Sequence, residues 1–170
     1  MNYFQQESER LHYRKLTEDD IESWIAFFID NDSLKYFGFD ESKSHRELST
    51  EWVTRQIERY EENGLGHLAV IEKTSGNLIG FGGLIVREFD GKGYYEIGYS
   101  LKPTSWKKGY GTEIAQQMRK FGTMSGLSDK FISIIHVDNK RSIHVATKNN
   151  MTPLFESTYM DLPVIVYGDK

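Results

Sequence analysis

The stretch Trp106-Lys107-Lys108-Gly109-Tyr110-Gly111-Thr112 lies between a predicted strand and a predicted helix. Two glycines at the start of a helix leave its first backbone N–H groups open to an anion, and Lys107 and Lys108 add positive charge. The stretch is not a G-x-G-x-x-G fingerprint, because Ile114 takes the place of the third glycine, and no Gly-Lys-Ser/Thr follows as in a Walker A loop. It predicts a phosphate-binding loop of another type. The alternative is a solvated lysine pair beside an ordinary helix start.

Regular elements are predicted on both sides of this loop. Tyr94 to Leu101 alternates apolar and polar residues, as a strand does. After the loop, an apolar helical face is formed by Ile114, Ala115, Met118, Phe121 and Gly122. The continuous apolar run from Phe131 to Val137 is typical of a strand covered on both faces, and Asn139 can cap a short helix to about Asn149.

The rest of the chain completes an α/β (α+β) pattern. Ser44 and Glu47 form a capping box for a helix that Gly64 can end. An earlier helix carries apolar residues at Ile21, Trp24, Ile25, Phe28 and Ile29. The remaining predicted strands run over 11–16, 67–71, 78–86, 154–160 and 164–167, with a turn at 90–93. The order β-α-α-β-β-β-α-β-α-β-β predicts one mixed sheet flanked by helices.

Composition limits the class of protein. A length of 170 residues predicts a single domain, 1–170, in which the polar residues 1–9 form a loose arm. With 21 Lys+Arg against 25 Asp+Glu, the net charge of −4 argues against a nucleic-acid partner, including an RNA-bound role. The absence of cysteine excludes thiolate metal sites and a cysteine nucleophile, and the five histidines have no metal-ligand spacing. Without a long apolar run or a signal peptide, the sequence predicts no membrane partner and a cytoplasmic location.

Four motifs in order carry a resemblance to a known family. They are Glu96-Ile97-Gly98-Tyr99, Trp106 to Glu113, Asn139-Lys140-Arg141-Ser142, and the opening segment 9–20. Over about residues 9–167 the chain resembles the GCN5-related N-acetyltransferases (GNAT), in particular the RimJ/RimL-type branch of ribosomal-protein N-terminal acetyltransferases. The resemblance implies a mostly antiparallel central sheet with two splayed parallel strands.

The resemblance also implies acetyl-CoA as co-substrate, with no metal. In the family, acetyl-CoA lies where the two parallel strands splay apart. The backbone near Tyr99 would pair with the pantetheine arm, the loop amides would hold the pyrophosphate, and Asn139 would reach the pantetheine. The implied cofactor-binding residues are Tyr99, Ser100, Leu101, Trp106, Lys107, Lys108, Gly109, Tyr110, Gly111, Thr112, Asn139 and Ser142.

Attack of an amine on a thioester needs a base and a proton donor. A lysine-like amine has a pKa near 10.4, so a proton must be removed, directly or through water. Glu96 is the predicted base, and a strand glutamate that faces solvent or pairs with lysine is the alternative. Ser142 is the predicted donor or water-holder at the sulfur, and an ordinary first-turn helix residue is the alternative. Many family members carry a tyrosine acid four residues beyond, where this chain has Ala146.

The acceptor side is less defined by the sequence. Five aromatic residues either line the acceptor side of the cleft that the resemblance implies or pack in the core. They are Phe27, Phe28, Tyr36, Phe37 and Phe39. If they face the cleft, the nearby Asp30, Asp32, Asp40 and Glu41 would favour a cationic amine. His144 is the histidine that could line the cleft near Ser142.

These patterns predict an N-acetyltransferase that acts on a primary amine. The acceptor would be a protein N-terminus, a polyamine, an amino acid or another small amine, bound by a monomer or a homodimer. The alternative function is a non-catalytic acyl-CoA sensor or partner subunit.

Overall fold

One eight-stranded mixed sheet runs through the protein in the computed structural model, which describes residues 2–89 and 91–170. The strands are β1 Gln5–Glu7, β2 Leu11–Arg14, β3 Gly66–Glu72, β4 Leu78–Phe89, β5 Lys92–Leu101, β6 Ile132–His136, β7 Thr152–Tyr159 and β8 Leu162–Gly168. The helices are α1 Asp20–Trp24, α2 His45–Asn63, α3 Tyr110–Met124 and α4 Lys140–Lys148. The strand order is β1-β2-β3-β4-β5-β6-β8-β7, and within the described part of the chain only the β5–β6 neighbours are parallel. The predicted fold class is therefore confirmed. Asp90, the first residue of the predicted turn, lies outside the described residues.

The prediction of a loose arm at residues 1–9 is wrong for the part that the structure describes. Residues 5–7 form β1, which pairs with β2. Tyr3 is buried, and its hydroxyl donates to the carbonyl of Gly66 at 2.5 Å while accepting from the N–H of Leu84 at 2.7 Å. A buried hydroxyl with two backbone partners fixes the segment, because leaving either partner unsatisfied would cost about 1–3 kcal/mol. Burial also raises the pKa of Tyr3.

Local signals set the ends of α2 as predicted. Ser44 Oγ accepts from Glu47 N at 3.2 Å, and the Glu47 carboxylate accepts from Ser44 N at 2.8 Å. Gly64 ends the helix in the left-handed region, with φ of 67°. The first predicted helix is shorter, because α1 passes into a 3-10 turn at Ile25–Phe28.

The two faces of the sheet are covered by different helices. On one face, the Trp24 ring of α1 stacks on Phe81 with a centroid distance of 3.8 Å. On the other face, α3 approaches so closely that a Cβ at Gly82 would lie 2.4 Å from Ile114 Cγ2. Glycine at that position is therefore what lets α3 pack on the sheet. Among the described residues, no helix is both long and apolar enough to span a bilayer.

The parallel strands β5 and β6 separate almost as soon as they meet. They pair at Glu96 and Ile132, and the described residues continue the register no further. The Ile97 carbonyl accepts a hydrogen bond from Ser133 Oγ at 2.8 Å, and the Leu101 carbonyl accepts one from Trp106 Nε1 at 2.9 Å. Residues two apart direct their peptide groups to the same edge of a strand. The peptide groups of Tyr99 therefore face the gap between β5 and β6.

Candidate active site

Two cavities meet at this gap. One, of about 520 Å³, lies between the 106–112 loop and α4, and we call it the loop cavity. The other, of about 370 Å³, lies between α2, β5 and the β7–β8 turn, and we call it the α2 cavity. Both are lined by Phe37, Tyr99, Ser100, Asn139 and Ser142. These five residues, which we call the shared wall, border both cavities.

The 106–112 loop presents backbone N–H groups to the loop cavity. Gly109 takes φ of 82° and precedes α3. The carbonyl of Gly109 accepts from Glu113 N at 3.1 Å, so the N–H groups of residues 110–112 have no acceptor within the helix. Lys107 also takes a positive φ, of 61°, which costs a non-glycine residue about 1–2 kcal/mol. The loop thus combines free helix amides with a strained lysine, which is the chemistry of an anion site.

A bond network that sequence reasoning missed holds this loop in place. The Arg10 guanidinium donates to the Lys108 carbonyl at 2.9 Å and to Glu113 Oε2 at 2.7 Å, and it lies 4.5 Å from the Tyr110 ring centroid. Ser8 Oγ donates to Glu113 Oε1 at 2.6 Å. The pKa of Glu113 is lowered below its ordinary value, because the hydrogen bonds from Ser8 and Arg10 outweigh the opposite effect of burial. These partners are about 100 residues apart, and no local pattern could have paired them.

Most of the predicted cofactor-binding residues line the loop cavity. Those that do are Tyr99, Ser100, Leu101, Trp106, Lys107, Gly109, Tyr110, Gly111, Thr112, Asn139 and Ser142. Lys108 is the exception, since it lies outside the cavity wall. The Trp106 indole N–H donates to the Leu101 carbonyl, and the Arg141 guanidinium lies over the ring, 4.0 Å from its centroid. His144 lines the same cavity.

The start of α4 brings three predicted residues together. Asn139 Oδ1 accepts from Ser142 N at 3.2 Å, which confirms the predicted cap. The Tyr99 hydroxyl donates to the Ser142 carbonyl at 3.2 Å, and burial raises the pKa of this tyrosine. The family resemblance predicts a role only for the backbone of Tyr99. Its hydroxyl stands beside Ser142 even though position 146, expected to carry a tyrosine in many relatives, is alanine.

Glu96 lies on the wall of the α2 cavity. Its side chain is 10% exposed, and Oε2 accepts from Arg87 Nε at 2.6 Å. The pKa of Arg87 is raised above its ordinary value, because the charge of Glu96 outweighs the opposite effect of burial. The predicted alternative, a glutamate paired with lysine, is close to this arrangement except that the partner is arginine. Ser142 lies on the shared wall, whereas Glu96 lines the α2 cavity and not the loop cavity.

His67 of β3 is a buried imidazole on the same cavity, a position that no local sequence pattern predicts. Neither ring nitrogen has a hydrogen-bond partner among the described residues. Burial, with the charges of Arg59 and Arg87, lowers the pKa of His67 to about 3, so the ring is neutral near pH 7. A Cβ at Gly98 would lie 2.5 Å from His67 Nε2. Glycine at 98 therefore makes room for the ring.

The aromatic residues predicted for the acceptor side divide between wall and core. Tyr36 and Phe39 line the α2 cavity, Phe27 lines the loop cavity, and Phe37 belongs to the shared wall, whereas Phe28 is buried in the core. The acidic residues predicted beside them, Asp30, Asp32, Asp40 and Glu41, line neither cavity. Asp32 pairs with Arg141 at 2.5 Å, and Asp40 accepts from Ser42. The condition for a cationic acceptor is therefore not met.

Comparison with known proteins places these features in a family. The family model described as acetyltransferase (GNAT) domain matches residues 10–152. Protein YkkB of Bacillus subtilis is 25% identical over 165 residues, which covers 96% of this chain and 94% of YkkB. The N-acetyltransferase YoaA of Bacillus subtilis is 24% identical over 143 residues, covering 84% and 79% respectively.

The fold is also found among solved structures. That of RimL, the ribosomal L7/L12 alpha-N-protein acetyltransferase, superposes with a TM-score of 0.78 at 18% identity, covering 95% of this chain and 91% of RimL. At that identity the likeness establishes the shared fold, which agrees with the resemblance drawn from the four motifs.

Proposed function

The chain belongs to the acetyltransferase (GNAT) family and is an acetyl-CoA-dependent acetyltransferase, and on this premise we propose that it transfers the acetyl group to a primary amine in the α2 cavity. The observation that carries the proposal is the shared wall between the two cavities. A donor in the loop cavity and an amine in the α2 cavity could react there without leaving the protein. The acceptor is a protein N-terminus, an amino acid or another small amine.

The loop cavity has the chemistry to hold acetyl-CoA, which supplies the acetyl group as a thioester. The N–H groups of residues 110–112, for which the described residues provide no acceptor, suit the diphosphate, and Lys107 adds charge on the same wall. The peptide groups of Tyr99 face the gap and suit an amide-bearing arm, which would pair with them as a further strand would. The amide side chain of Asn139 lies on the shared wall.

Glu96 is the proposed base. An α-amine has a pKa of about 7.7–8.0 and a lysine-like amine about 10.4, so much of either is protonated at neutral pH and must lose a proton. The carboxylate of Glu96 can accept that proton directly or through water, because Arg87 occupies Oε2 and no described residue bonds to Oε1. Its position on the α2 cavity supports this role.

Ser142 is the proposed proton donor at the sulfur, or the holder of a water that donates. A thiol has a pKa of about 8.5, so a departing sulfur benefits from a nearby proton. Ser142 lies on the shared wall, and its own N–H is already bonded to Asn139, so its position is fixed by the helix cap. The Tyr99 hydroxyl beside it is a second proton carrier on the same wall.

The test is a calorimetric titration with acetyl-CoA, followed by a thiol-release assay against cationic, neutral and anionic amines and short peptides. We expect binding, and release that depends on at least one class of amine. Binding without amine-dependent release would favour the acyl-CoA sensor or partner subunit. Absence of binding would overturn the assignment of the loop.

A further inference from the structure

Arg59 of α2 is a half-buried cation on the wall of the α2 cavity. The described residues place no carboxylate within 4.0 Å of it, and its side-chain bond is to Gln56 Oε1 at 3.1 Å. Burial and the nearby charges of Arg87 and Arg55 lower its pKa, and together they outweigh the opposing charge of Glu96. A partly desolvated guanidinium among other cations is unfavourable by itself, and an anion beside it would relieve the cost.

The other charges on this wall already have partners. Arg87 pairs with Glu96 at 2.6 Å, and Glu51 pairs with Lys43 at 2.6 Å. Arg55 is taken by Glu58 and Glu62, at 3.1 and 2.9 Å. Among the described residues, Arg59 is therefore the cation of this cavity wall that no carboxylate pairs.

A second unpartnered group lies near Arg59. The His67 ring is buried on the same wall, and no described residue forms a hydrogen bond with either of its nitrogens. Gln56 links the two residues, since its Oε1 accepts from the His67 backbone N–H at 2.9 Å and from Arg59. A neutral imidazole carries one N–H that can donate to an oxyanion. Among the described residues, the cavity wall thus holds a guanidinium that no carboxylate pairs and a neutral imidazole whose ring nitrogens have no hydrogen-bond partner.

We propose that the acceptor amine carries an oxyanion, a carboxylate or a phosphate, which Arg59 binds with His67 as a second donor. The proposal rests on the function proposed above and narrows its acceptor class. Guanidinium matches carboxylate and phosphate through paired N–H groups, which neutral or cationic acceptors cannot exploit. With Glu96 on the same wall, one molecule can present its anion to Arg59 and its amine to the base. Polyamines, which are purely cationic, do not fit this arrangement.

The test compares four small amines with acetyl-CoA: β-alanine, O-phosphoethanolamine, ethanolamine and putrescine. We expect kcat/KM for an anionic amine to exceed that for ethanolamine or putrescine by at least about tenfold, because hydrogen bonds between charged groups are stronger than those between neutral groups. β-Alanine and O-phosphoethanolamine then tell a carboxylate site from a phosphate site. In Arg59→Gln, the anionic amines should lose about 10- to 100-fold, mainly through KM, while ethanolamine stays within about twofold. Arg59→Lys should keep part of the preference.

Arg46→Gln is the matched control. Arg46 lies on the same helix, is exposed, pairs with Glu22 and lines neither cavity, so this variant should behave like the parent protein. Unchanged affinity for acetyl-CoA in Arg59→Gln would show that the variant is folded. Equal losses for anionic and neutral amines, or a preference for putrescine, would overturn the proposal.

A binding measurement separates this proposal from the proposed function. Calorimetry with coenzyme A present gives the affinity for each amine whether or not thiol is released. If turnover fails but an anionic amine binds and Arg59→Gln weakens it by tenfold or more, the anion site stands and the catalytic proposal does not. If no anionic amine binds, or Arg59→Gln leaves its affinity unchanged, the anion site is wrong.

Discussion

Arg87 Nε donates to Glu96 Oε2 at 2.6 Å, and the two side chains are only 18% and 10% exposed. The residues lie on adjacent strands of the β4–β5 pair. Removal of Arg87 would leave a carboxylate with little solvent and no counter-charge, so loss of stability and loss of activity would be mixed. Glu96→Gln is the cleaner change, because the amide oxygen can still accept from Arg87.

Glu96→Gln is expected to lower kcat by about 100-fold or more, since general bases contribute roughly 10²–10⁴. Affinity for acetyl-CoA should not change, because Glu96 lies on the α2 cavity alone. The assay is steady-state thiol release with the best amine. Glu88→Gln is the control, because it makes the same carboxylate-to-amide change at an exposed residue of the same strand pair. A kcat equal to that of the control would remove Glu96 from the reaction.

Ser142→Ala is expected to lower kcat by about tenfold or more while changing the acetyl-CoA Kd by less than about threefold. The helix start should survive, because Asn139 bonds to the backbone of Ser142 and not to its hydroxyl. Kd from calorimetry and kcat from thiol release separate the two effects. Thr147→Ala, an exposed hydroxyl loss on the same helix, serves as control. Unchanged turnover in Ser142→Ala would leave Tyr99 as the hydroxyl to examine.

Gly111→Glu is expected to weaken acetyl-CoA binding by more than about 100-fold, because a carboxylate would stand among the amides meant for a diphosphate. Space is also short, since a Cβ at Gly111 would lie 3.3 Å from Val145 Cγ2. Gly93→Glu has open space around it and adds the same charge. Calorimetry of both variants, with melting temperatures to verify folding, makes the comparison. Full binding by Gly111→Glu would mean that the diphosphate lies elsewhere.

His67 should make stability depend on pH. Its folded pKa of about 3 lies below the ordinary 6.5, so between these values the unfolded chain binds a proton that the folded protein does not. Stability therefore falls as pH drops below 6.5, by about 1.4 kcal/mol per unit. Urea unfolding at pH 6.5 and 5 should show the parent protein losing about 1.6 kcal/mol more than His67→Leu. The same loss in both proteins would contradict the burial of a neutral imidazole.

Local signals explain which parts of the fold could be predicted. The Ser44–Glu47 capping box, the Gly64 stop and the Asn139 cap each depend on residues within a few positions, and each appears where the spacing puts it. The loop glycines belong to the same class, because helix amides are exposed by the helix start itself.

The features that were missed depend on residues far apart in the chain. Arg10 and Glu113 are about 100 positions apart in the chain. The partners of the buried Tyr3 hydroxyl, Gly66 and Leu84, are also distant, so the polar residues 1–9 predict a loose arm. The surplus charge of Arg59 becomes visible only after every neighbouring carboxylate has been assigned to another cation. Pairing of this kind is set by tertiary packing, to which a single sequence gives no direct access.

The shared wall has a consequence for the order of events in time. A single set of residues borders both cavities, and the chain has no cysteine to store an acyl group. Both reactants should then be present together before either product leaves. Initial velocities measured against one reactant at fixed levels of the other should give intersecting reciprocal plots, whereas parallel lines would reveal an acylated protein between two half-reactions.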